Sequence, residues 1–458
     1  MPYTPSVQSR TTLNTVSAEG ATFNSPLFIT ANQYFSGRTK IFGSWTEVQQ
    51  DPAIPTTSNS YTGLKLAFSQ IPAPARVYLG RRDVDLLTLT PNPVVDNKDY
   101  KLTFVVTDDA TQTPVTTVAS ITSGTSTTAT LIATALEVYI TANVANVTAV
   151  DLTGSLTVVP DAGYTFYFTS MDNLVDTYTT TETAADLLAA IQEEENGFYF
   201  VTAEDHTEVF QLAMAAVIEP TGSTDFPKMY FTSTQDADTI VPLPDPAIDV
   251  IGKLKEFNYL RTVCDWHDQA DTIFPEMGDV AYNGVFQPGS TTWKFMRVAG
   301  VPQAVNPLTG KGLSTGVQGY IEDRNGNWMG GEYGVDFYRE GKTVSGEWID
   351  VVRFTDWLNT NIEIALFNLL LNQKGGKIPN TPAGRQQVAS TVDSILDQAK
   401  GFNALSGYIP TSVPAEGDIS FFDKVNRILR DVKFTGYLAG AIHTIIVDGN
   451  LTYTDATI

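Results

Sequence analysis

The clearest hydrophobic pattern lies in the C-terminal quarter of the chain. Across residues 351–370, apolar side chains recur every three or four residues, which predicts a long amphipathic helix. A Thr-Pro pair then provides the N-cap and the first-turn proline of a second helix, over residues 381–402. Alternation after that predicts two strands, residues 432–438 and 441–447, and a short closing strand.

The pattern in the middle of the chain indicates a layered α/β arrangement. Short apolar runs punctuated by Pro and Gly fill residues 34–82 and are typical of strands. Helical periodicity at residues 183–195 and 207–218 alternates with apolar strands at 197–202 and 228–232, which predicts a small α/β layer. The Asn325-Gly326 pair predicts a tight turn between two strands of a hairpin.

A Thr-rich segment interrupts this domain at residues 86–178. Residues 101–150 contain 14 Thr and only 4 charged residues, in alternating stretches that predict half-exposed strands with one helix near residues 129–140. We interpret the segment as an inserted β-rich module that decorates the main fold. A receptor-binding or carbohydrate-binding role is the alternative.

These patterns predict an α+β multidomain protein, with a mixed α/β core, a C-terminal helix pair plus short strands, and the inserted β-rich module. Residues 1–30 are polar, rich in proline and without helical period, so we expect an extended N-terminal arm. The remaining division is a middle domain (31–85 with 179–350), the insert (86–178), a C-terminal domain (351–446) and a C-terminal arm strand (447–458).

Composition narrows the function classes. The 458 residues carry a net charge of −23, which argues against binding to nucleic acid. Residues 351–458 contribute only −1 of it, so the C-terminal quarter is the better candidate for a partner-facing region. The sequence predicts neither a signal peptide nor a membrane span, so no direct membrane insertion is expected. Cys264, the only cysteine, excludes an internal disulfide and any zinc site with several thiolates.

Motifs that could carry chemistry fail in their context. Residues 312–316 match the G-x-S-x-G nucleophile elbow around Ser314, but we interpret them as a glycine-rich surface loop. Gly341-Lys342-Thr343 lacks the earlier glycine of a phosphate-binding loop, and Asp323-Arg324-Asn325-Gly326 has its glycine two positions too early for a calcium loop. Cys264 and His267 are too few for a closed metal site in a stretch that we expect to be helical at best. The sequence therefore predicts no enzyme, no cofactor and no metal.

The C-terminal region resembles the tail sheath proteins of contractile-tailed bacteriophages. The resemblance begins with the glycine-punctuated, then aspartate-aromatic stretch at residues 341–358 and continues over about 120 residues in the same order and spacing. It includes the stretches Lys377-Ile378-Pro379-Asn380-Thr381-Pro382-Ala383-Gly384, Asp423-Lys424-Val425-Asn426-Arg427 and Leu438-Ala439-Gly440-Ala441-Ile442-His443. It is weaker in the middle domain and absent from the insert.

The resemblance implies a structural subunit that forms stacked rings around a tail tube and contracts to drive the tube through the host envelope. Implied partners are neighbouring subunits, joined by strand exchange through residues 1–30 and 446–458, the tail tube, the baseplate and the tail terminator. It implies assembly in the host cytoplasm and a place in the virion. The motif residues, with an implied structural role, are Gly341, Gly346, Asp350, Asp356, Trp357, Pro379, Thr381, Gly384, Arg427, Gly440 and His443.

Basic residues of the C-terminal domain are candidates for the contact with the tube. These are Lys374, Lys377, Arg385, Lys424, Arg427, Arg430 and Lys433. The alternative is that they are ordinary solvated side chains. For His443 we expect a structural role rather than a pH-dependent switch. Two other classes of function are alternatives. A monomeric β-rich adhesion protein would bind its ligand through the Thr-rich insert. An acidic hydrolase would need a pair of catalytic carboxylates, which the sequence does not place together.

Overall fold

The computed structural model describes residues 23–52, 54–108, 110–111, 113–219, 226–373 and 376–449. The chain divides into two compact units, one over Thr22–Val352 and the other from Arg353 onward. The first unit begins with β1 (Pro26–Thr30), β2 (Thr39–Phe42), α1 (Trp45–Gln50), α2 (Asn59–Phe68) and β3 (Val77–Arg81).

The insert follows directly. Its elements are β4 (Leu86–Pro91), β5 (Asp99–Asp108), β6 (Pro114–Thr122), α3 (Ala129–Asn143), β7 (Val147–Asp151), β8 (Leu156–Pro160), β9 (Tyr164–Asp172) and β10 (Leu174–Thr179). They form a three-stranded sheet, β6-β5-β9, and a four-stranded sheet, β10-β4-β8-β7. Alternation is clear in β4, where Leu87 and Leu89 are fully buried while Thr90 on the opposite face is exposed.

The chain then returns to the first unit. Its elements are α4 (Ala184–Glu194), β11 (Phe200–Ala203), α5 (Glu208–Ile218), β12 (Met229–Thr234), α6 (Val250–Phe257), β13 (Thr262–Trp266), α7 (Ala270–Ile273), α8 (Pro275–Gly284), β14 (Val305–Asn306), β15 (Lys311–Gly312), α9 (Thr315–Glu322), β16 (Asn327–Glu332) and β17 (Val335–Arg339). The predicted order of helix, strand, helix and strand from α4 to β12 is confirmed.

An eight-stranded sheet in the order β17-β16-β13-β12-β11-β1-β3-β2 organises this unit. Its six central strands run parallel, and β2 and β17 pair antiparallel at the two ends. Parallel strands need crossover connections, and the helices of those connections cover the sheet faces. All residues of β1, β11, β12 and β13 are accordingly buried.

Predictions for this unit are wrong at several positions. Residues 34–82 are not strands throughout, because they contain the helices α1 and α2. Pro26–Thr30 is not part of an arm: it is a central strand between β11 and β3, and its apolar side chains fill the core. Residues 1–22 of the predicted arm lie outside the described residues. The Asn325-Gly326 turn joins α9 to β16, and the hairpin between β16 and β17 turns instead at Tyr333 and Gly334, both with positive φ, which suits a tight two-residue loop.

The C-terminal unit contains most of the predicted helix pair. Its elements are α10 (Ile349–Leu371, which begins in the first unit), α11 (Pro382–Gly401), β18 (Leu405–Ser412), α12 (Phe421–Val425) and β19 (Lys433–Leu438). Both long helices are confirmed, and the Thr381 hydroxyl accepts from the Gly384 N–H (3.3 Å) as the predicted N-cap.

The strands of this unit differ from the prediction. β19 pairs antiparallel with β18, which the sequence reading missed. In the described part of the chain, residues 441–447 form no strand. A strand needs a neighbouring strand for its backbone hydrogen bonds, and no described segment pairs with these residues. Most of the predicted closing arm, residues 450–458, lies outside the described residues.

Candidate assembly interface

The glycines of the family-like stretch support the loop before α10. Gly341 has φ +89°, and a Cβ there would lie 3.0 Å from the backbone nitrogen of Lys294. Its N–H donates to the Asn327 side-chain oxygen (2.8 Å). Gly346 has φ +91° in the turn that precedes the helix. Asp350 lies in the first turn of α10, where burial raises its pKa to about 6.

The aspartate-aromatic part of the stretch lies in the core of the C-terminal unit. Asp356 is buried, and Trp357 is 9% exposed. The Trp357 ring stacks on Phe354, with 6.2 Å between centroids, and meets the ring of Phe402, the C-cap residue of α11, edge-on at 5.0 Å. These residues join the two helices rather than forming a binding surface.

The connection between α10 and α11 is close-packed at the next family-like stretch. A Cβ on Gly384 would lie 1.9 Å from the carbonyl oxygen of Pro379, so no other residue fits without a backbone shift. That carbonyl also accepts from the Thr381 N–H (2.8 Å). Pro379, Thr381 and Gly384 therefore form one structural turn.

Arg385 is not a surface residue. Its side chain is 2% exposed, and its guanidinium donates to the Asn380 side chain (3.0 Å) and to Glu416 (3.0 Å). The prediction that Arg385 faces the tube is wrong for this conformation, because its side chain already joins the N-terminus of α11 to the loop after β18.

The remaining basic candidates divide between paired and open side chains. Lys424 pairs with Glu416 (2.9 Å), Arg430 with Asp423 (2.9 Å) and Lys433 with Asp431 (3.1 Å). Arg427, with φ +58°, and Lys377 are exposed, and Lys374 lies outside the described residues. Exposed pairs contribute little stability, so the paired side chains could exchange partners at a modest cost.

Exposed aromatic side chains accompany these charges. On the short helix α12, Phe421 is 82% exposed, Phe422 65% and Val425 60%. This cluster was not predicted from the sequence, although the two adjacent phenylalanines were the available signal. An uncovered set of large apolar side chains of this kind marks a surface for another molecule.

The segment after β19 exposes a second apolar set. The chain passes Gly440, with φ +56°, and continues without helix or strand. Its four large aliphatic side chains are about four-fifths exposed: Ile442 79%, Ile445 79%, Ile446 84% and Val447 82%. His443 between them is half-buried.

This segment follows a sheet of only two strands. Leu405 pairs with Leu438 and Ile409 with Thr435, and each strand has a single neighbour among the described residues. Such a sheet has edges with unpaired backbone groups that can accept a further strand. The open two-stranded sheet and the apolar segment thus offer both halves of a strand-addition contact.

The rejected motifs show no site in the described part of the chain. Ser314 caps α9, where its hydroxyl accepts from the Val317 N–H (3.4 Å), so a helix does follow this serine, contrary to the loop interpretation. Cys264 is fully buried on a strand, not on a helix. No group of three or more His, Cys, Asp or Glu side chains within the described ranges could hold a metal ion. None of the described helices is long and apolar enough to cross a bilayer.

Comparisons with known proteins give the fold. No protein-family model and no curated protein matches the sequence. Among solved structures, a chain of the contracted helical sheath of the anti-feeding prophage aligns with TM-score 0.54 and 12% identity, covering 99% of this chain and 100% of its own. A chain of the six-fold symmetrised baseplate of the same particle gives the same values.

A sheath tail protein from Desulfitobacterium hafniense aligns with TM-score 0.49 and 10% identity, over 91% of this chain and 94% of its own, which is too low to support a fold assignment by itself. The two stronger alignments span nearly the whole chain. The fold predicted from the C-terminal stretches is therefore confirmed, and this chain has the fold of contractile tail sheath proteins.

Proposed function

We propose that this chain is a structural, non-enzymatic subunit of a contractile tail sheath, which polymerises as stacked rings around a tail tube and contracts to drive the tube through the host envelope. The observation that carries the proposal is the exposed apolar segment 442–447 beside the open two-stranded sheet. A segment with four aliphatic side chains about 80% exposed is costly in a lone monomer and favourable as an added strand in a neighbouring copy.

Strand addition also explains how subunits stay linked. Contacts that add the arm of one copy to the sheet of the next are head-to-tail, and such contacts build rings or helices. A flexible linker after Gly440 would tether neighbours while rigid bodies rearrange during contraction. The tail tube, the baseplate and the tail terminator are the further partners in this proposal. Arg427, Lys377, Lys374 and the exchangeable Lys424, Arg430 and Lys433 are the proposed tube contacts.

Negative-stain electron microscopy of the purified full-length protein tests the proposal. We expect hollow tubes or stacked rings at high protein concentration. Single particles under all salt conditions, with no assembly after addition of the cognate tail tube, would favour the monomeric binding protein instead.

A matched pair of variants tests the strand-addition contact itself. Thr444→Pro removes one backbone N–H in the middle of the apolar segment and should abolish tubes, because a proline cannot donate to a sheet ladder. Thr444→Ala keeps the N–H and should assemble like the parent. Both should remain folded, since residue 444 lies outside the strands of the described structure. Normal tubes from the proline variant would show that this segment does not add a strand.

A further inference from the structure

Two aspartates meet in the core of the first unit, on different elements. Asp265 lies on β13 and is 2% exposed, and Asp279 lies on α8 and is 1% exposed. Their carboxyl groups are in hydrogen-bond contact with each other. A carboxylate has acceptors only, so two carboxylates can form such a contact only when one of them carries a proton.

The protein donors around the pair do not satisfy it. Asp265 Oδ1 accepts from the Tyr338 hydroxyl (2.5 Å), and the Asn327 side chain also contacts this carboxyl. Asp265 Oδ2 and Asp279 Oδ1 are buried without a protein donor. Two buried oxygens without donors destabilise the fold if both groups are ionised, and a proton between them removes most of that penalty.

We propose that Asp265 and Asp279 share one proton in the folded protein, so that folding of the first unit is coupled to the uptake of that proton. Among the described residues no cation takes the place of this proton: the titratable groups around the pair are Glu276 of α8, Tyr338 of β17 and Cys264 of β13, all buried. Each of these is neutral or negative. The third buried carboxylate, Glu276, has its own partners in the Ser233 hydroxyl (2.6 Å) and in His206 (3.1 Å).

Burial acts on the pair in the direction that the shared proton requires. Desolvation is the main cause that raises the pKa of Asp265, to about 6, and that holds the pKa of Asp279 well above its usual range. The two groups titrate as a pair, so the proton belongs to both.

The sign of the pH dependence follows. A carboxyl whose pKa is raised by folding keeps a proton that the unfolded chain releases above about pH 4. Stability from the pair is therefore present at low pH and is lost as the pH rises through the folded pKa, with a change of about tenfold in the unfolding constant per pH unit.

Other groups change stability in the same direction. His206 is held by Glu276 and Asp271 against the cost of burial, and its pKa is raised to about 10. Burial also raises the pKa of Glu204 to about 7 and that of Asp350 to about 6. The wild-type pH profile alone is thus not diagnostic, and the test must be a difference between variants.

Urea denaturation of the full-length chain, below its assembly concentration, compares the wild type with Asp279→Asn and Asp265→Asn. The N–H of the asparagine amide donates to the remaining carboxylate at every pH, in place of the shared proton. Neither variant therefore needs to take up that proton on folding. We expect both to flatten the profile, with the ratio of variant to wild-type folding constants rising about tenfold per pH unit above about pH 6, where the pair keeps only the shared proton, until that proton is released. The control Asp249→Asn alters a buried carboxylate already paired with Arg324 (2.9 Å), and should lower stability without flattening.

Infrared difference spectroscopy at pH 8, above the pKa of Glu204, detects the proton directly. The carboxylic-acid C=O band should be present in the wild type and be lost in Asp279→Asn, because the remaining Asp265, with a pKa of about 6, is ionised at pH 8. A ratio that does not change with pH, or a band that keeps its full intensity in Asp279→Asn, would overturn the proposal. If Asp279→Asn fails to fold, the pH dependence of the folding-constant ratio for Asp265→Asn still decides.

Discussion

Gly384 lies where a side chain has no room, in the turn that opens α11. A methyl group there would lie 1.9 Å from the Pro379 carbonyl oxygen, which is itself fixed by the Thr381 N–H. The position has no unusual φ, so the requirement for glycine comes from packing rather than from backbone conformation. A glycine in a family-like stretch can therefore be explained without any contact to a partner.

Gly384→Ala should destabilise the protein by about 1–3 kcal/mol, because the turn must shift to accept the methyl group. Gly401→Ala at the other end of the same helix is the matched control: nothing lies within 4 Å of its Cβ position, so its stability should be unchanged or slightly raised. The urea concentrations at the unfolding midpoints of the two variants test this prediction, and the midpoint of Gly384→Ala should be the lower one. Equal midpoints would mean that the turn relaxes freely.

Between elements, Arg324 ties the end of α9 to the start of α6. Its fully buried guanidinium donates to Asp249, the N-cap of α6 (2.9 Å), and to the carbonyl oxygens of Val241 (2.9 Å), Tyr320 (2.8 Å) and Asp238 (2.9 Å). Removing the arginine takes this donor from all four partners and leaves the fully buried Asp249 without its countercharge, although Asp249 Oδ1 keeps the Thr239 hydroxyl (3.2 Å) and the Gly252 N–H (3.0 Å).

Arg324→Leu should therefore cost about 3–5 kcal/mol, the range for breaking one side of a buried ion pair. Lys253→Met removes an exposed pair with Glu208 (2.6 Å) in the same unit and should cost about 1 kcal/mol or less. Chemical denaturation of both variants checks the contrast, and a small loss for Arg324→Leu would contradict it.

At the scale of the whole molecule, charge opposes the assembly that the exposed apolar segments favour. Each copy carries −23, of which residues 1–350 hold −22. Raising the salt concentration from about 0.01 M to about 0.1 M shortens the Debye length from about 30 Å to about 10 Å. Self-assembly of the proposed sheath should therefore begin at a lower protein concentration in the higher salt, while apolar contacts are little affected.

Light scattering as a function of protein concentration, at the two salt levels, measures the concentration at which self-assembly begins. The proposed contact through basic residues should respond in the opposite direction, so binding to the tail tube should weaken with salt. A critical concentration that rises with salt would show that attraction between charges, not apolar contact, holds the copies together.

The two long C-terminal helices and the order of helix and strand from α4 to β12 could be predicted from the sequence. The stripe of α10, the Thr-Pro start of α11 and the alternation of helix and strand from α4 to β12 depend on residues within a few positions of each other, since helical hydrogen bonds span four residues. Composition likewise determined the charge of −23 and excluded an internal disulfide.

Only the tertiary structure decided what lies beside what. Pro26–Thr30 pairs with strands about 50 and 170 residues away, so a five-residue segment behind a polar stretch gave no local sign of being central. Burial of Arg385 depends on Glu416, and the contact of Asp265 with Asp279 depends on a strand and a helix that fold together. Sheet pairing, burial and shared protons join residues distant in the chain, and a local pattern carries no record of them.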